Sequence, residues 1–194
     1  MVSNRRLVEP EGPDFYPTPS WGTLALLKYV GFDGKILEPC CGDGAMSEVL
    51  KSSGCVVESS DIIDRGYGEV CDFLSITEPQ ANIVTNPPFN IAADLIDHAL
   101  NIATGKSCFL LRTAFLESKR RFEMFYRHRA PSTVLVFSER LSMYPKGYEV
   151  NGGGTTSYSW FIWDNDATDG ETRIVWIEPG MKPNGRKQTQ SGEG

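Results

Sequence analysis

A chain of 194 residues is enough for one ordinary domain, and 40% apolar with 23% charged side chains is the mixture of a globular protein able to bury a core. No apolar run approaches the roughly 20 residues of a membrane span, which excludes a helical membrane protein. A net charge of −6 argues against a protein that coats nucleic acid without specificity, although Lys119, Arg120, Arg121, Arg127 and Arg129 form a local basic stretch.

Residues 1–13 are polar, contain Pro10 and Pro13, and lack the apolar core of a signal peptide. They read as a flexible arm on a cytoplasmic protein. Residues 180–194 have no apolar anchor after Met181 and read as a disordered tail, which leaves 14–179 as the folded domain. The cysteines are Cys40, Cys41, Cys55, Cys71 and Cys108, with no Cys-x-x-Cys pair, and His98 and His128 are the histidines. That set predicts reduced thiols and no metal site.

In chain order, Leu24, Leu27 and Val30 recur every third residue and predict a short helix. Ile36-Leu37 is a buried strand ahead of a Gly-rich turn. Met46, Val49 and Leu50 follow at helical spacing, stopped by Gly54. Cys55-Val56-Val57 opens a second strand, and Ala81 to Val84 makes another. Ala92, Leu95, Ile96, Ala99, Leu100 and Ala103 form a helical stripe closed by Gly105. Cys108 to Leu111 is a strand, and Phe122, Phe125 and Tyr126 mark a helix that Pro131 ends. Thr133 to Phe137, Tyr158 to Trp163 and Arg173 to Ile177 then predict strands with no long helix between them. Alternating strands and helices give an α/β fold, a mostly parallel sheet covered on both faces, with antiparallel closing strands at one edge. Ligands of such sheets lie beyond the carboxyl ends of the strands, so the residues after Leu37, Val57 and Val84 are the place for chemistry.

Leu37 is followed by Glu38-Pro39-Cys40-Cys41-Gly42-Asp43-Gly44 and then a helix. Gly42 and Gly44 permit a tight turn and a close ligand approach. The loop has no Gly-Lys-Ser/Thr and no third glycine, so a ligand without phosphates fits better than a nucleotide phosphate. At the end of the second strand Asp61-Ile62 offers a carboxylate for ribose hydroxyls, with Glu58 the second choice. Asp72-Phe73 follows a third strand and offers an acid for an adenine edge and a ring for its face. Taken alone, Asp61 or Glu58 reads more simply as a solvated loop acid, and Asp72-Phe73 as a plain turn with a buried Phe.

Asn86-Pro87-Pro88-Phe89 is the most specific feature. Two prolines fix an extended backbone and remove two amide donors. The Asn86 side-chain oxygen and the Pro87 carbonyl are then two acceptors for the hydrogens of a planar amine, and Phe89 is a flat apolar face. An aromatic amine is a poor nucleophile because its lone pair is delocalised. Two fixed acceptors draw the nitrogen toward tetrahedral geometry and free that pair.

These motifs resemble those of the amino-group DNA methyltransferases, the adenine-specific type above all, and small phage and prophage members most. Asn86 to Phe89 matches the family's Asp/Asn-Pro-Pro-aromatic motif in full, and Glu38 to Gly44 matches its loop for S-adenosylmethionine. Asp61 and Asp72-Phe73 match the later cofactor positions. Phe15-Tyr16-Pro17-Thr18-Pro19 is similar to the family's N-terminal motif, in which a Thr-Pro before a helix touches the methionine carboxylate. The resemblance covers roughly residues 14 to 165. It implies a Rossmann-like class I methyltransferase fold of seven strands and a cofactor site of Tyr16, Thr18, Pro19, Glu38, Pro39, Cys40, Gly42, Gly44, Asp61, Ile62, Asp72, Phe73 and Asn86. It implies a catalytic group of Asn86, Pro87, Pro88 and Phe89, with DNA as substrate.

Lys119, Arg120 and Arg121 are the expected phosphate contacts, against the simpler reading of a solvated helix face. The chain lacks the family's separate target-recognition region; Tyr144 to Thr155 is its one sizeable irregular segment. Either loops read a short site, or a partner supplies recognition. Other substrates for the same tetrapeptide are cytosine, RNA bases and protein glutamine. A non-catalytic nucleic-acid-binding module on the same fold is the alternative of another class.

Overall fold

A computed structural model describes residues 15–143, 156–167 and 169–183. The arm at 1–13, the glycine-rich segment 144–155 and residues 184–194 of the expected tail lie outside them. The first residues of that tail are attached: Met181 packs partly buried against the core and the Gly180 amide donates to Glu139 Oε2 at 2.6 Å.

The elements are α1 (Ser20–Tyr29), β1 (Ile36–Glu38), α2 (Ala45–Ser52), β2 (Val57–Asp61), β3 (Glu69–Val70), β4 (Asn82–Thr85), α3 (Ala92–Ile102), β5 (Lys106–Arg112), α4 (Lys119–Arg121), β6 (Thr133–Phe137), β7 (Tyr158–Asp164) and β8 (Arg173–Ile177). Single 3-10 turns occupy Phe73–Ser75 and Thr113–Leu116, and a π-helical turn at Phe122–Tyr126 continues α4. The eight strands form one sheet in the order β3-β2-β1-β4-β5-β7-β6-β8. β3, β2, β1, β4 and β5 pair in parallel. β7 makes the antiparallel pairs, with β5 on one side and β6 on the other, and β8 adds an eighth strand parallel to β6.

Successive strand residues point to opposite faces, and here both faces are buried. Ile36, Val84, Cys108, Leu110, Trp160 and Ile162 face one layer, which α1 and α2 cover with Trp21, Leu26, Met46 and Leu50. Leu37, Ile83, Phe109, Leu111, Phe161 and Trp163 face the other, which α3 covers with Leu95, Ile96 and Ala99. The Leu24-Leu27-Val30 spacing locates α1 but not its inner face. Leu24 is 44% exposed, and Trp21, Gly22, Ala25 and Leu26 turn inward. The Gly22 carbonyl accepts the indole N–H of buried Trp160 at 2.9 Å, and a Cβ on Gly22 would stand 3.0 Å from Leu141 Cδ1. The second strand starts at Val57, after the exposed Val56. No helix among the described residues is long and apolar enough to cross a membrane.

Candidate active site

The carboxyl ends of β1, β2 and β4 meet at one cavity of about 360 Å³. Tyr16, Thr18, Glu38, Cys40, Asp61, Ile62 and Asn86 to Phe89 line it. The topology brings them together because β1 lies between β2 and β4, so the loops after all three open on the same edge.

The turn after β1 is held from β2. Cys41 N donates to Ser60 O and Gly42 N to Asp61 Oδ2, both at 2.9 Å, while Asp61 Oδ1 accepts from Ile63 N at 3.0 Å. Each Asp61 oxygen keeps a further lone pair for a ligand hydroxyl. Gly42 has φ +57° and Gly44 has φ +86°, in the left-handed region. A Cβ on Gly42 would stand 2.1 Å from Phe15 Cε2, and one on Gly44 2.5 Å from the Tyr67 ring. The room these glycines leave is therefore filled by two aromatic rings of the chain itself. Tyr67 is held in turn by its hydroxyl, which donates to Glu48 at 2.6 Å and accepts from Lys51 at 2.8 Å. The Arg65 guanidinium lies 4.4 Å from the Phe15 ring centroid. Gly42, Gly44, Pro39 and Pro19 shape the loops without lining the cavity.

Glu38 is 2% exposed. Burial pushes its carboxyl up to about 8, only partly opposed by the hydrogen bond from the Ser47 hydroxyl. Burial likewise pushes the Cys40 and Cys41 thiols up to about 12, so neither is a thiolate nucleophile at neutral pH.

Asn86 follows β4 directly. Its Nδ2 donates to Tyr16 O at 3.0 Å and Thr18 Oγ1 at 3.1 Å, and stands 3.6 Å from Met143 Sδ. Its Oδ1 is buried and has no hydrogen-bond partner among the described residues. The Pro88 carbonyl accepts from Ile91 N at 3.3 Å, so it serves the turn into α3; the Pro87 carbonyl takes no such bond among the described residues. Phe89 is flanked by the Arg112 guanidinium, 4.9 Å from its ring centroid, and by the Tyr158 ring at 5.8 Å with planes 32° apart.

Asp72 and Phe73 stand outside the cavity. Asp72 caps the turn Phe73–Ser75 by accepting from Leu74 N at 3.0 Å, and Phe73, 3% exposed, packs edge-on against His98 under α3. On α4, Arg121 turns back on its own chain. Its guanidinium donates to the carbonyls of Phe115 at 2.7 Å, Ala114 at 3.1 Å and Glu117, over the Phe115 ring. Arg120 pairs with Asp94 at 3.4 Å, both well exposed, while Arg127 pairs with Glu123 and Arg129 with Asp97. Lys119 is exposed.

Phe15, Arg65, Tyr67 and Met143 also shape the site, although their residue types do not announce it. Phe15 sits inside the motif already singled out and could have been taken from it. The others are single residues in loops, placed by contacts distant in sequence.

No family model matches the chain, and no curated protein matches it. Solved structures do. A putative RNA methyltransferase from Pyrococcus horikoshii is 15% identical, with 82% of this chain and 92% of that chain covered, at a TM-score of 0.59. The M protein of the type I restriction enzyme EcoKI is 13% identical, with 78% of this chain but 44% of that chain covered, at a TM-score of 0.51. The fold is the Rossmann-like class I methyltransferase fold, a mostly parallel α/β sheet with antiparallel closing pairs.

Proposed function

We propose that the chain is an S-adenosylmethionine-dependent methyltransferase whose acceptor is the exocyclic amino group of adenine in DNA. The observation that carries this reading is Asn86 Oδ1, a buried acceptor without a partner among the described residues, beside the Pro87 carbonyl and the Phe89 ring. A buried, unsatisfied acceptor costs about 1–3 kcal/mol, and a ligand N–H removes that cost. An amine has two such hydrogens, one for Asn86 Oδ1 and one for the Pro87 carbonyl.

The cavity suits the cofactor by the chemistry of its lining. Asp61 offers carboxylate lone pairs for ribose hydroxyls, Ile62 is 63% exposed and gives an apolar surface for a nucleoside base, and buried Glu38 sits behind them. The cofactor supplies an electrophilic methyl group on a sulfonium. Asn86 and Pro87 orient the acceptor nitrogen and draw its lone pair out of the ring, and the loop prolines hold both acceptors still. Most of the rate then comes from placement and fixed dipoles. Adenine in a duplex must first be flipped out, at a few kcal/mol. A partner that supplies sequence recognition belongs to the same proposal. The chain spans less than half of the EcoKI M protein it matches.

DNA is chosen on the tetrapeptide with Phe89 and the likeness to a restriction-enzyme M protein. The test is transfer of labelled methyl groups to DNA, RNA and protein offered separately. Label in DNA recovered as N6-methyladenine supports the reading. Label confined to RNA or to glutamine keeps the amine chemistry and overturns the substrate, and no transfer to any of them overturns the activity.

A further inference from the structure

We infer that Thr18 is a positioning residue for Asn86, and that the Tyr16–Thr18 segment with Met143 sets which end of the Asn86 amide faces the acceptor. The inference rests on the reading of Asn86 given above.

The amide of an asparagine has two ends of nearly equal size, and one is useless here. Oδ1 accepts hydrogens from an amine, whereas Nδ2 offers more hydrogens to a group that has only hydrogens to give. Something must fix the choice. The Tyr16 carbonyl, 3.0 Å from Nδ2, is an acceptor alone, and so in practice is the Met143 thioether at 3.6 Å. Thr18 Oγ1 at 3.1 Å is the third acceptor. Turning the amide over would set Oδ1 against a carbonyl oxygen and a sulfur, both bearing lone pairs. Hydrogen-bond logic therefore fixes the orientation.

The surroundings make the clamp stiff. Thr18 is 6% exposed and Met143 8%. Thr18 immediately precedes Pro19, whose ring restricts the residue before it to extended backbone. The segment then enters α1, which is seated in the core by Trp21 and Leu26. The family pattern assigns the Thr of this motif to the cofactor's carboxylate. In this chain the Thr18 hydroxyl oxygen is engaged by Asn86.

The two roles separate by measurement. Thr18→Val keeps the shape and removes the acceptor, and Thr18→Ser keeps the acceptor. With cofactor saturating, Thr18→Val should slow methyl transfer on the order of tenfold to a hundredfold, the scale of a small misplacement of a catalytic group. Its affinity for S-adenosylhomocysteine should stay within about twofold, and Thr18→Ser should restore the rate. A Thr18→Val protein that transfers as fast as wild type at saturating cofactor overturns the inference, and so does one whose whole defect is lost cofactor affinity.

A second measurement needs no folded variant and no activity. In the wild-type protein, the Asn86 side-chain NH2 resonances should exchange with solvent more slowly than those of the exposed Asn90. Equal exchange would refute the clamp even if methyl transfer stands. Wild-type protein inactive on every acceptor, with Asn86 NH2 protected, would instead refute the proposed function and keep the clamp.

Discussion

The Asp61 carboxylate accepts the Gly42 amide hydrogen at 2.9 Å, so the end of β2 holds the turn that follows β1. A residue expected to meet the ribose thus also builds the loop. Asp61→Ala should weaken binding of S-adenosylhomocysteine and lower stability by about 1–3 kcal/mol, since the Gly42 and Ile63 amides both lose a partner. Calorimetry and denaturant melts read the two effects. Full affinity in this variant would remove Asp61 from the cofactor site.

Gly42 answers to Phe15. With φ +57° and a Cβ position 2.1 Å from the Phe15 ring, Gly42→Ala should cost about 1–3 kcal/mol through strain and displacement of that ring. Adding Phe15→Ala should recover the part due to the clash and leave the backbone part. Strictly additive losses in the double variant would show that the ring is not what the glycine accommodates.

Glu38 makes stability depend on pH. Its carboxyl is raised from 4.5 to about 8 by burial, so the folded chain keeps a proton that the unfolded chain releases. This group's contribution is free of penalty below about pH 4.5, falls as pH rises to about 8, and is level above that. Glu38→Gln should remove the fall, so its melting temperature should gain on wild type steadily between about pH 5 and 8. A constant difference over that range would show that Glu38 is ionised in the fold.

The basic segment divides by what each arginine holds. Arg121 binds three backbone carbonyls, so Arg121→Ala should destabilise the turn at Thr113–Leu116 by about 1–3 kcal/mol. Arg120 makes an exposed pairing with Asp94 at 3.4 Å. Arg120→Glu should leave stability unchanged, weaken DNA binding, and flatten its salt dependence by about one counterion. An unmoved salt slope would make this segment a solvated face.

Much of the fold was legible because β5 and β7 carry the apolar runs Cys108 to Leu111 and Trp160 to Trp163, and the stripe Ala92 to Ala103 has a helical period. The inner face of α1 was not, because Leu24 is apolar yet exposed while Gly22 and Thr23 are buried. At the site, Asn86 to Phe89 and Asp61 announce themselves by type and by position after a strand. What periodicity cannot reveal is how a residue is used by another distant in sequence. Gly42 makes room for Phe15, Phe73 goes under α3 to meet His98, and Arg121 folds back on the carbonyls before it. The choice between Nδ2 and Oδ1 at Asn86 depends on Tyr16, Thr18 and Met143 together.

Asn86 Oδ1 is the atom on which the proposed function turns, and Asn86→Ala removes it. The direct measurement is methyl transfer from labelled S-adenosylmethionine to DNA by wild type and by this variant, at saturating cofactor, with the product identified by mass spectrometry of digested nucleosides. The account predicts N6-methyladenine from wild type and turnover about 10²–10³-fold lower in the variant, the cost of losing one preorganised partner, with a far smaller change in cofactor affinity. An Asn86→Ala protein that methylates adenine as fast as wild type would contradict it.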